Sequence, residues 1–252
     1  MNMSELFVPS RQRMPAIIPP LLSFTAGFID SFTVLALFGL FVAQVTGSFA
    51  LTAVAIATNE QGALTKVLAV PVFLLAGGTT TIVAVMLERC GRAPLPWVLG
   101  LECTVLTGFL LVALIGAPLS DPGAFSVAAA GLLGLFAMGT QSATVRLLMK
   151  NVASTNVMTT NTTQIAIDAA ELWLAWRAWR RAPADAALAA ACDAARARFG
   201  ALLPIMLGFL VGTLVGALAY VATGVWALLL PLAVTYGVFA WASASAASTA
   251  TE

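Results

Sequence analysis

Six stretches of the chain are long and apolar enough to cross a bilayer. About 20 mostly apolar residues span the hydrocarbon core as an α-helix, which satisfies its own backbone hydrogen bonds in lipid. The stretches of this kind are residues 17–38, 67–87, 97–117, 125–149, 202–222 and 225–241. The pattern therefore predicts an all-α integral membrane protein whose main partner is the lipid bilayer.

Two further segments, 40–58 and 152–170, are apolar only in part. The first contains Gln44 and the run Thr46-Gly47-Ser48, and the second contains the run Thr159-Thr160-Asn161. Irregular or polar backbone segments at membrane depth must lie inside protein or line a cavity. These segments therefore either cross the membrane within the protein or enter and leave it on the same side.

The basic residues decide between these topologies, because Lys and Arg in short loops stay on the cytoplasmic side. If both polar segments crossed, four basic residues would lie outside, namely Arg89, Arg92, Arg146 and Lys150. If both segments re-enter, eleven of the twelve basic residues lie inside and Lys66 alone lies outside. We therefore predict six crossings and two re-entrant half-helix segments. Both termini, residues 1–16 and 242–252, are then cytoplasmic.

This topology exposes an internal repeat over residues 17–117 and 124–241. Each half contains one helix, one re-entrant segment and two further helices. The motif from Gly27 to Ser31 corresponds to that from Gly139 to Ala143, and a polar cluster begins 19 or 20 residues after each first glycine. The first helix runs outward in one half and inward in the other. Many transporters have such inverted halves and bind solute near the midplane, where broken segments meet.

Residues 171–199 form the sizeable extramembrane connection and are predicted to be a helix on the cytoplasmic surface. Trp173, Trp176 and Trp179 lie there beside Arg177 and Arg180, a combination typical of the lipid headgroup level. Lipid anchoring and a partner-binding role both fit this pattern. The small, polar residues of 242–252 predict a disordered tail.

Composition excludes several classes of function. Only 9% of the residues are charged and the net charge is +1, so there is no basic surface for nucleic acid. Histidine is absent, which removes the commonest general base and metal ligand. An intramembrane aspartyl protease needs two facing acids, whereas Asp168 is predicted near the surface. We expect no enzyme, metal or cofactor, and we expect Cys90, Cys103 and Cys192 to be buried thiols.

Asp30 falls near the middle of the first predicted span. An ionised carboxylate facing lipid at this depth is costly, so Asp30 must face protein or water. Two roles remain open. Asp30 is either a proton, cation or substrate site, or a carboxylate that holds the backbone of the neighbouring re-entrant segment. In both cases we expect it to contact the backbone of residues 46–48 or 159–161.

The polar clusters suit helices that begin within the membrane. Such helices leave their first N–H groups unpaired, and Ser, Thr and Asn side chains cap them. Their positive N-terminal ends would then form a site for an anionic or polar group, although capping without a ligand is the alternative. Arg146 near the end of the fourth span either contributes to this site or extends its charged group to the membrane surface. The predicted substrate-binding residues are Asp30, Gln44, Thr46, Gly47, Ser48, Gln141, Ser142, Arg146, Thr159, Thr160 and Asn161.

The remaining acids near the membrane are predicted to be solvated. Asp168 and Glu171 lie near the cytoplasmic mouth of the second broken segment, and we expect them to form salt bridges with Arg177 or Arg180. Glu102 lies near the cytoplasmic end of its span, so we expect it to reach water.

Glycine recurs at four-residue intervals in the fifth span, at Gly208, Gly212 and Gly216. This spacing lets two helix backbones approach closely. Close packing within the chain and a homodimer interface both fit it.

The motifs also carry a family resemblance. The matching residues are Phe24, Gly27, Asp30, Phe41 and Thr46-Gly47 in the first half, and Met138-Gly139, Gln141, Ala143, Arg146, Thr159 and Asn161 in the second. On these residues the chain resembles the YoaK family of bacterial membrane proteins over nearly its whole length. The resemblance implies a six-span protein of the bacterial inner membrane, without an established function and sometimes described as a small-molecule transporter. Ser48 and Ser142 stand where that family usually has Asn, and Thr160 where it has Gly.

We predict a transporter or channel for a small polar or anionic solute. Asp30 would couple transport to a proton or cation or select the solute, and the two half-helix ends would coordinate the solute. The alternative is a non-transporting membrane scaffold or partner subunit whose polar clusters are structural. A cavity lined by Asp30, Thr46, Gln141 and Asn161 would favour transport, whereas a dry, self-paired cluster would favour the scaffold.

Overall fold

The computed structural model describes residues 14–150 and 152–249, and these residues contain helices and no strand. The α-helices are α1 Ile18–Ala36, α2 Val45–Ala57, α3 Ala63–Arg89, α4 Pro94–Ile115, α5 Phe125–Leu148, α6 Met158–Arg181, α7 Ala186–Thr223 and α8 Leu229–Thr249. The all-α prediction is therefore confirmed. Most of the predicted N-terminal tail, including Arg11 and Arg13, lies outside the described residues.

Five helical segments of the described chain are long and apolar enough to cross a membrane. Four of them are α1, α3, α4 and α5, which coincide with the first four apolar stretches of the sequence. The fifth, Ala186–Ser248, is 63 residues long and contains both remaining stretches. Gly224 interrupts it with a φ of +61°, which favours glycine, and a 3-10 turn over Gly224–Leu228 then leads into α8.

The most extensive helix packing joins α1 to α7. A Cβ atom at Gly208, Gly212 or Gly216 would lie 2.1 to 2.5 Å from a backbone oxygen of α1. The α1 residues that they meet run in the same order, from Pro20 to Phe28, so the two helices are parallel. These glycines therefore allow close packing of α7 against α1 within the chain.

α3 and α5 form the equivalent pair and are also parallel. A Cβ atom at Gly131 would lie 3.1 Å from a side chain in the first turn of α3, and one at Gly139 would lie 2.8 Å from Ala76 farther along it. Gly139 corresponds to Gly27 of α1, where a Cβ atom would lie 2.3 Å from the backbone oxygen of Phe209 in α7. The first helix of each half thus packs against the third helix of the other half.

The segment between α1 and α3 starts and finishes at the same end of the bundle. Leu37 and Phe38, which follow α1, line a small pocket together with Gly62, Thr65 and Pro122. The start of α3 and the α4–α5 connection therefore lie beside the end of α1. The opposite end of the bundle is marked by a buried cluster that includes Ile18, Met149 and Ala242.

Residues 171–199 differ from the predicted surface helix, because they are the end of α6, a turn and the start of α7. α6 and α7 pack as a hairpin. Arg198 of α7 binds Glu171 and lies 3.8 Å from the carboxylate of Asp168. The expected salt bridges of the two acids with Arg177 or Arg180 are therefore wrong. The hairpin brings Arg198 close to both acids, although it is distant in sequence.

Arg177 and Arg180 stack on tryptophan instead. Their guanidinium carbons lie 5.3 and 5.0 Å from the ring centroids of Trp173 and Trp176, within the range of a cation–π contact. These rings are among the exposed large side chains of the described chain. The geometry fits the headgroup-level pairing that their spacing predicts.

Two smaller expectations also differ from the structure. α8 continues to Thr249, so the predicted disordered tail is helical in its described part. Alanine is frequent there and has the highest helix propensity. Cys90 is exposed because it follows the last residue of α3, whereas Cys103 and Cys192 are buried as expected.

Candidate functional site

Asp30 holds the chain that leads into α2. Its Oδ1 atom accepts hydrogen bonds from the backbone N–H groups of Val42 and Ala43, at 2.8 Å each. The side chain is 2% exposed, and Oδ2 makes no hydrogen bond with the described residues. Asp30 therefore contacts protein, as expected, but it binds the residues just before α2 and not residues 46–48. These contacts support the structural role among the two that the sequence leaves open.

The segment before α6 is held in a related way. Ser142 of α5 donates to Asn156 Oδ1 at 3.4 Å, and Ser154 donates to the same oxygen at 3.1 Å. Asn161 Nδ2 donates to the backbone oxygen of Ser154 at 2.6 Å. Ser142 has the place in the second half that Asp30 has in the first. Asp30 of α1 and Ser142 of α5 thus each hold the segment that leads into a later helix, α2 or α6.

α2 and α6 start with nearly the same backbone geometry. The preceding residues, Gln44 and Val157, both have a φ of −97°, with ψ values of 66° and 72°. No side chain caps either helix, so the expected capping role of the polar clusters is wrong. Thr46, Thr159 and Thr160 are exposed on the outer faces of α2 and α6.

α2 and α6 do not come together in the described part of the chain. α2 packs against α3, and α6 packs against α7. The convergence of the two helix ends on one solute therefore stays a prediction. Of the other predicted site residues, Gly47 lies beside the ring of Phe41, and Arg146 is exposed near the end of α5.

Gln141 connects α5 to α1 and to the segment before α6. Its amide nitrogen donates to the backbone oxygen of Leu22 at 2.9 Å and to Thr155 Oγ1 at 3.3 Å. Ser23 of α1 donates to the backbone oxygen of Thr155 at 3.0 Å. The three polar side chains are fully buried. Gln141 Oε1 is left without a hydrogen-bond partner among the described residues.

Glu102 of α4 is fully buried, so the expectation that it reaches water is wrong. Its exposed fraction is 0%, and neither carboxyl oxygen has a hydrogen-bond partner in the described chain. Glu102 shares its helix face with Leu99, Leu106 and Phe109, which are all buried. Their spacing of three and four residues places them on one side of a helix. Glu102 lies close to the middle of α4, on the face of the helix that is turned inward.

The register between α4 and α5 shows what lies opposite Glu102. The two helices are antiparallel, and three pairs of residues that meet at glycines fix their alignment. The pairs are Gly116 with Ser126, Phe109 with Gly134, and Gly108 with Leu133. Each step back along α4 corresponds to a step forward along α5. This register places Glu102 opposite Thr140 and Gln141.

α1 brings Thr25 to the same level. Leu22 of α1 and Leu99 of α4 belong to one buried cluster. Thr25 follows Leu22 by three residues, just as Glu102 follows Leu99. Farther along the same helices, the rings of Phe32 and Phe109 meet with their centroids 5.9 Å apart. Phe109 follows Phe32 by the same number of residues as Leu99 follows Leu22, so α1 and α4 keep their alignment.

We call Thr25, Glu102, Thr140 and Gln141 the buried polar layer. All four are 0% exposed. Seven buried side-chain oxygens of the described residues have no hydrogen-bond partner, and five of them belong to this layer. Leaving such a group unpaired costs about 1–3 kcal/mol. Sequence reasoning found Gln141 alone, although an acid inside a predicted span was a signal that pointed to Glu102.

A cavity of about 990 Å³ lies between α4 and α8. Gly100 and Thr104 line it from α4, whereas Glu102, midway between them in sequence, points to the other side of the helix. None of Asp30, Thr46, Gln141 and Asn161 lines this cavity. Among the described residues no group of three or more His, Cys, Asp or Glu is arranged to hold a metal ion.

The comparisons with known proteins identify a family without identifying an activity. The family model of DUF1275, described as a protein of unknown function, matches residues 19–241. The chain therefore belongs to the DUF1275 family. No curated protein and no solved structure matches it. An uncharacterised family was expected and is confirmed, while the narrower resemblance to the YoaK family stays a prediction.

Proposed function

We propose that this member of the DUF1275 family is a transporter of the bacterial inner membrane for a small polar solute. The observation that carries the proposal is the buried polar layer. Five of its oxygens lack a hydrogen-bond partner among the described residues, and a solute that carries donors would pair with them. Polar and ionisable groups inside membrane spans are expensive and mark solute or ion pathways. Apolar residues of similar size at the same positions would serve a pure scaffold better.

The position of the layer also supports transport. Thr25 and Glu102 belong to the first half, and Thr140 and Gln141 belong to the second. The layer therefore lies at the interface between the proposed inverted repeats. In transporters built this way the solute site lies between the halves, and rocking of one half against the other exposes it to each side in turn.

We propose six crossings for this fold, with both termini in the cytoplasm. Ala186–Ser248 would extend about 95 Å as one helix, whereas the hydrocarbon core is about 30 Å thick. The turn at Gly224 allows α7 and α8 to cross separately. The parallel pairs α1 with α7 and α3 with α5 agree with this arrangement, as does the distribution of basic residues.

We also propose that α2 and the segment before α6 are re-entrant. The chain from Leu37 to Thr65 returns to the end of the bundle at which it left α1, which supports this topology for α2. The matching start geometry of α2 and α6 supports it for the second half.

The chemistry of the layer favours a solute with hydrogen-bond donors. Glu102 and Gln141 Oε1 offer acceptors, and the two Thr hydroxyls can either donate or accept. No basic side chain belongs to the layer, so nothing in it would neutralise an anion. The layer therefore narrows the predicted class of solute from polar or anionic compounds to neutral donors or ammonium compounds. The exposed starts of α2 and α6 no longer supply a reason to favour an anion.

The scaffold remains the second candidate, because part of the polar structure is self-paired. Asp30 binds two backbone N–H groups, and Ser48 and Asn161 bind backbone oxygens. These contacts stabilise the broken segments without any ligand. These contacts do not involve the buried polar layer, so a substitution within the layer distinguishes a transporter from a scaffold.

A thermal-stability screen of the purified full chain tests the proposal. The panel contains small amines, amides, polyols and carboxylates, and the proteins are the wild type, Thr140→Val and the matched control Thr104→Val. Thr104 is exposed and donates to the backbone of its own helix. We expect donor-bearing compounds to raise the melting temperature of the wild type and of Thr104→Val more than that of Thr140→Val. Equal stabilisation of all three proteins, or of none, would support the scaffold instead.

A further inference from the structure

No positive charge within the described chain reaches Glu102. The charged or phenolic side chains on the surrounding helices are Asp30 on α1, Lys66, Glu88 and Arg89 on α3, Arg146 on α5 and Tyr236 on α8. Lys66 binds Glu60 at the start of α3, and Tyr236 hydrogen-bonds with Thr107. Arg146 lies six residues beyond Thr140 and is exposed, so it does not neutralise Glu102.

An ionised carboxylate is therefore uncompensated at this position. Burying an isolated charge in an apolar environment costs so much that the group takes its neutral form instead. The neutral carboxyl group also gains an O–H donor. Gln141 Oε1, which lies opposite Glu102 in the register, is a buried acceptor without a partner. The layer thus suits a protonated Glu102 better than an ionised one.

A row of polar groups leads from the layer towards the surface. Gln141 is hydrogen-bonded to the Thr155 hydroxyl, and Ser154 and Asn156 flank Thr155 in the segment before α6. Ser154 is half-buried, so the row reaches the outer part of the protein. Hydroxyl groups and the water that polar groups hold can pass protons along such a row.

We infer that Glu102 binds and releases the proton that drives solute movement. While the layer is closed, Glu102 is a neutral carboxylic acid. When the layer opens towards the start of α6, the O–H bond of Glu102 breaks and the proton passes to water there. When the layer opens to the other side of the membrane, the carboxylate takes up a proton from water on that side. The coupling to solute rests on the proposed function, whereas the protonation of Glu102 does not.

Infrared spectroscopy of the full chain in lipid tests this inference without any solute. A protonated buried carboxyl group gives a C=O stretching band that is separate from the carboxylate bands. We expect this band at neutral pH in the wild type, its loss in Glu102→Gln, and its retention in the control Glu171→Gln, whose side chain is exposed and bound to Arg198. Glu102→Gln keeps the size and shape of the side chain, and its melting temperature verifies folding.

The band also reports whether the proton exchanges. In deuterated buffer we expect the Glu102 band to shift while the protein stays folded, because opening of the layer replaces the proton with a deuteron. A missing band, or a band that Glu102→Gln keeps and Asp30→Asn loses, would overturn the assignment to Glu102. A band that never shifts would overturn the exchange. A shifting band in a protein that no solute stabilises would support the proton site and contradict the proposed transport function.

Discussion

Ser48 and Asn161 make the same contact in the two halves of the chain. Each side chain donates to the backbone oxygen seven residues earlier, Ser48 Oγ to Phe41 at 3.0 Å and Asn161 Nδ2 to Ser154 at 2.6 Å. Both side chains are buried. The bond ties the first turn of each broken helix to the segment that leads into it. Two different residue types thus make the same kind of contact in the first turns of α2 and α6.

We expect Ser48→Ala and Asn161→Ala each to lower the free energy of unfolding by about 1–3 kcal/mol, because a buried carbonyl loses its donor. Chemical denaturation of the purified protein in detergent measures this loss. Thr159→Ala is the matched control, since Thr159 is exposed in the same turn of α6 as Asn161. An equal loss in Thr159→Ala would show that the turn as a whole, and not this bond, is sensitive.

Asp30 variants test whether its hydrogen bonds or its charge matter. Asp30→Asn keeps one acceptor oxygen for the N–H groups of Val42 and Ala43, whereas Asp30→Leu keeps none. Since a buried N–H group left without an acceptor costs about 1–3 kcal/mol, we expect Asp30→Leu to be more destabilising than Asp30→Asn by at least that amount. Unfolding in denaturant compares the two. If Asn and Leu cost the same, the backbone-holding role of Asp30 is wrong.

The glycines of α7 predict a contrast with those of α3. A Cβ atom at Gly212 would lie 2.1 Å from the backbone oxygen of Phe24, while one at Gly77 would meet nothing within 4 Å. We expect Gly212→Ala to cost about 1–3 kcal/mol through overpacking and Gly77→Ala to be neutral or slightly stabilising, because alanine favours helix. Melting temperatures of the two variants check this, and equal stability would contradict the α1–α7 contact.

Single cysteines test the six-crossing topology. In a chain whose three native cysteines are replaced, we expect a cysteine at Asn59 or Gln61 to react with an impermeant reagent in intact cells. A cysteine at Arg92 or Ala184 should react only after the membrane is opened. External labelling at Arg92 would contradict the inverted repeat, because the end of α3 and the start of α4 would then lie on the wrong side.

Apolar length and polar interruption were sufficient to predict the helices, because both are local properties. Hence α1, α3, α4 and α5 appear where the sequence predicts them, and α2 and α6 start inside the polar segments. The start of α7 was missed because no local property of the sequence marks it. Residues 186–201 are rich in alanine and continue smoothly into the apolar run, so no local signal separates them from the following helix.

The polar layer could not be predicted, because it depends on how helices align. The burial of Glu102 follows from the face that α4 turns towards α5, and its neighbours Thr140 and Thr25 follow from the register of three helices. Sequence spacing gives the face of a single helix and not its register against another. The role of Arg198 was missed likewise, since its pairing with Glu171 needs the α6–α7 hairpin.

Solute flux through the polar layer is the central claim, and counterflow in proteoliposomes measures it most directly. The probe is the radiolabelled compound that stabilises the wild type most, and the proteins are the wild type, Thr104→Val and Thr140→Val at equal folded amounts. We predict exchange by the wild type and by Thr104→Val, and exchange at least about tenfold slower at limiting solute in Thr140→Val, as the loss of one hydrogen bond implies. No exchange by the wild type, or equal exchange by all three proteins, would contradict transport through this layer.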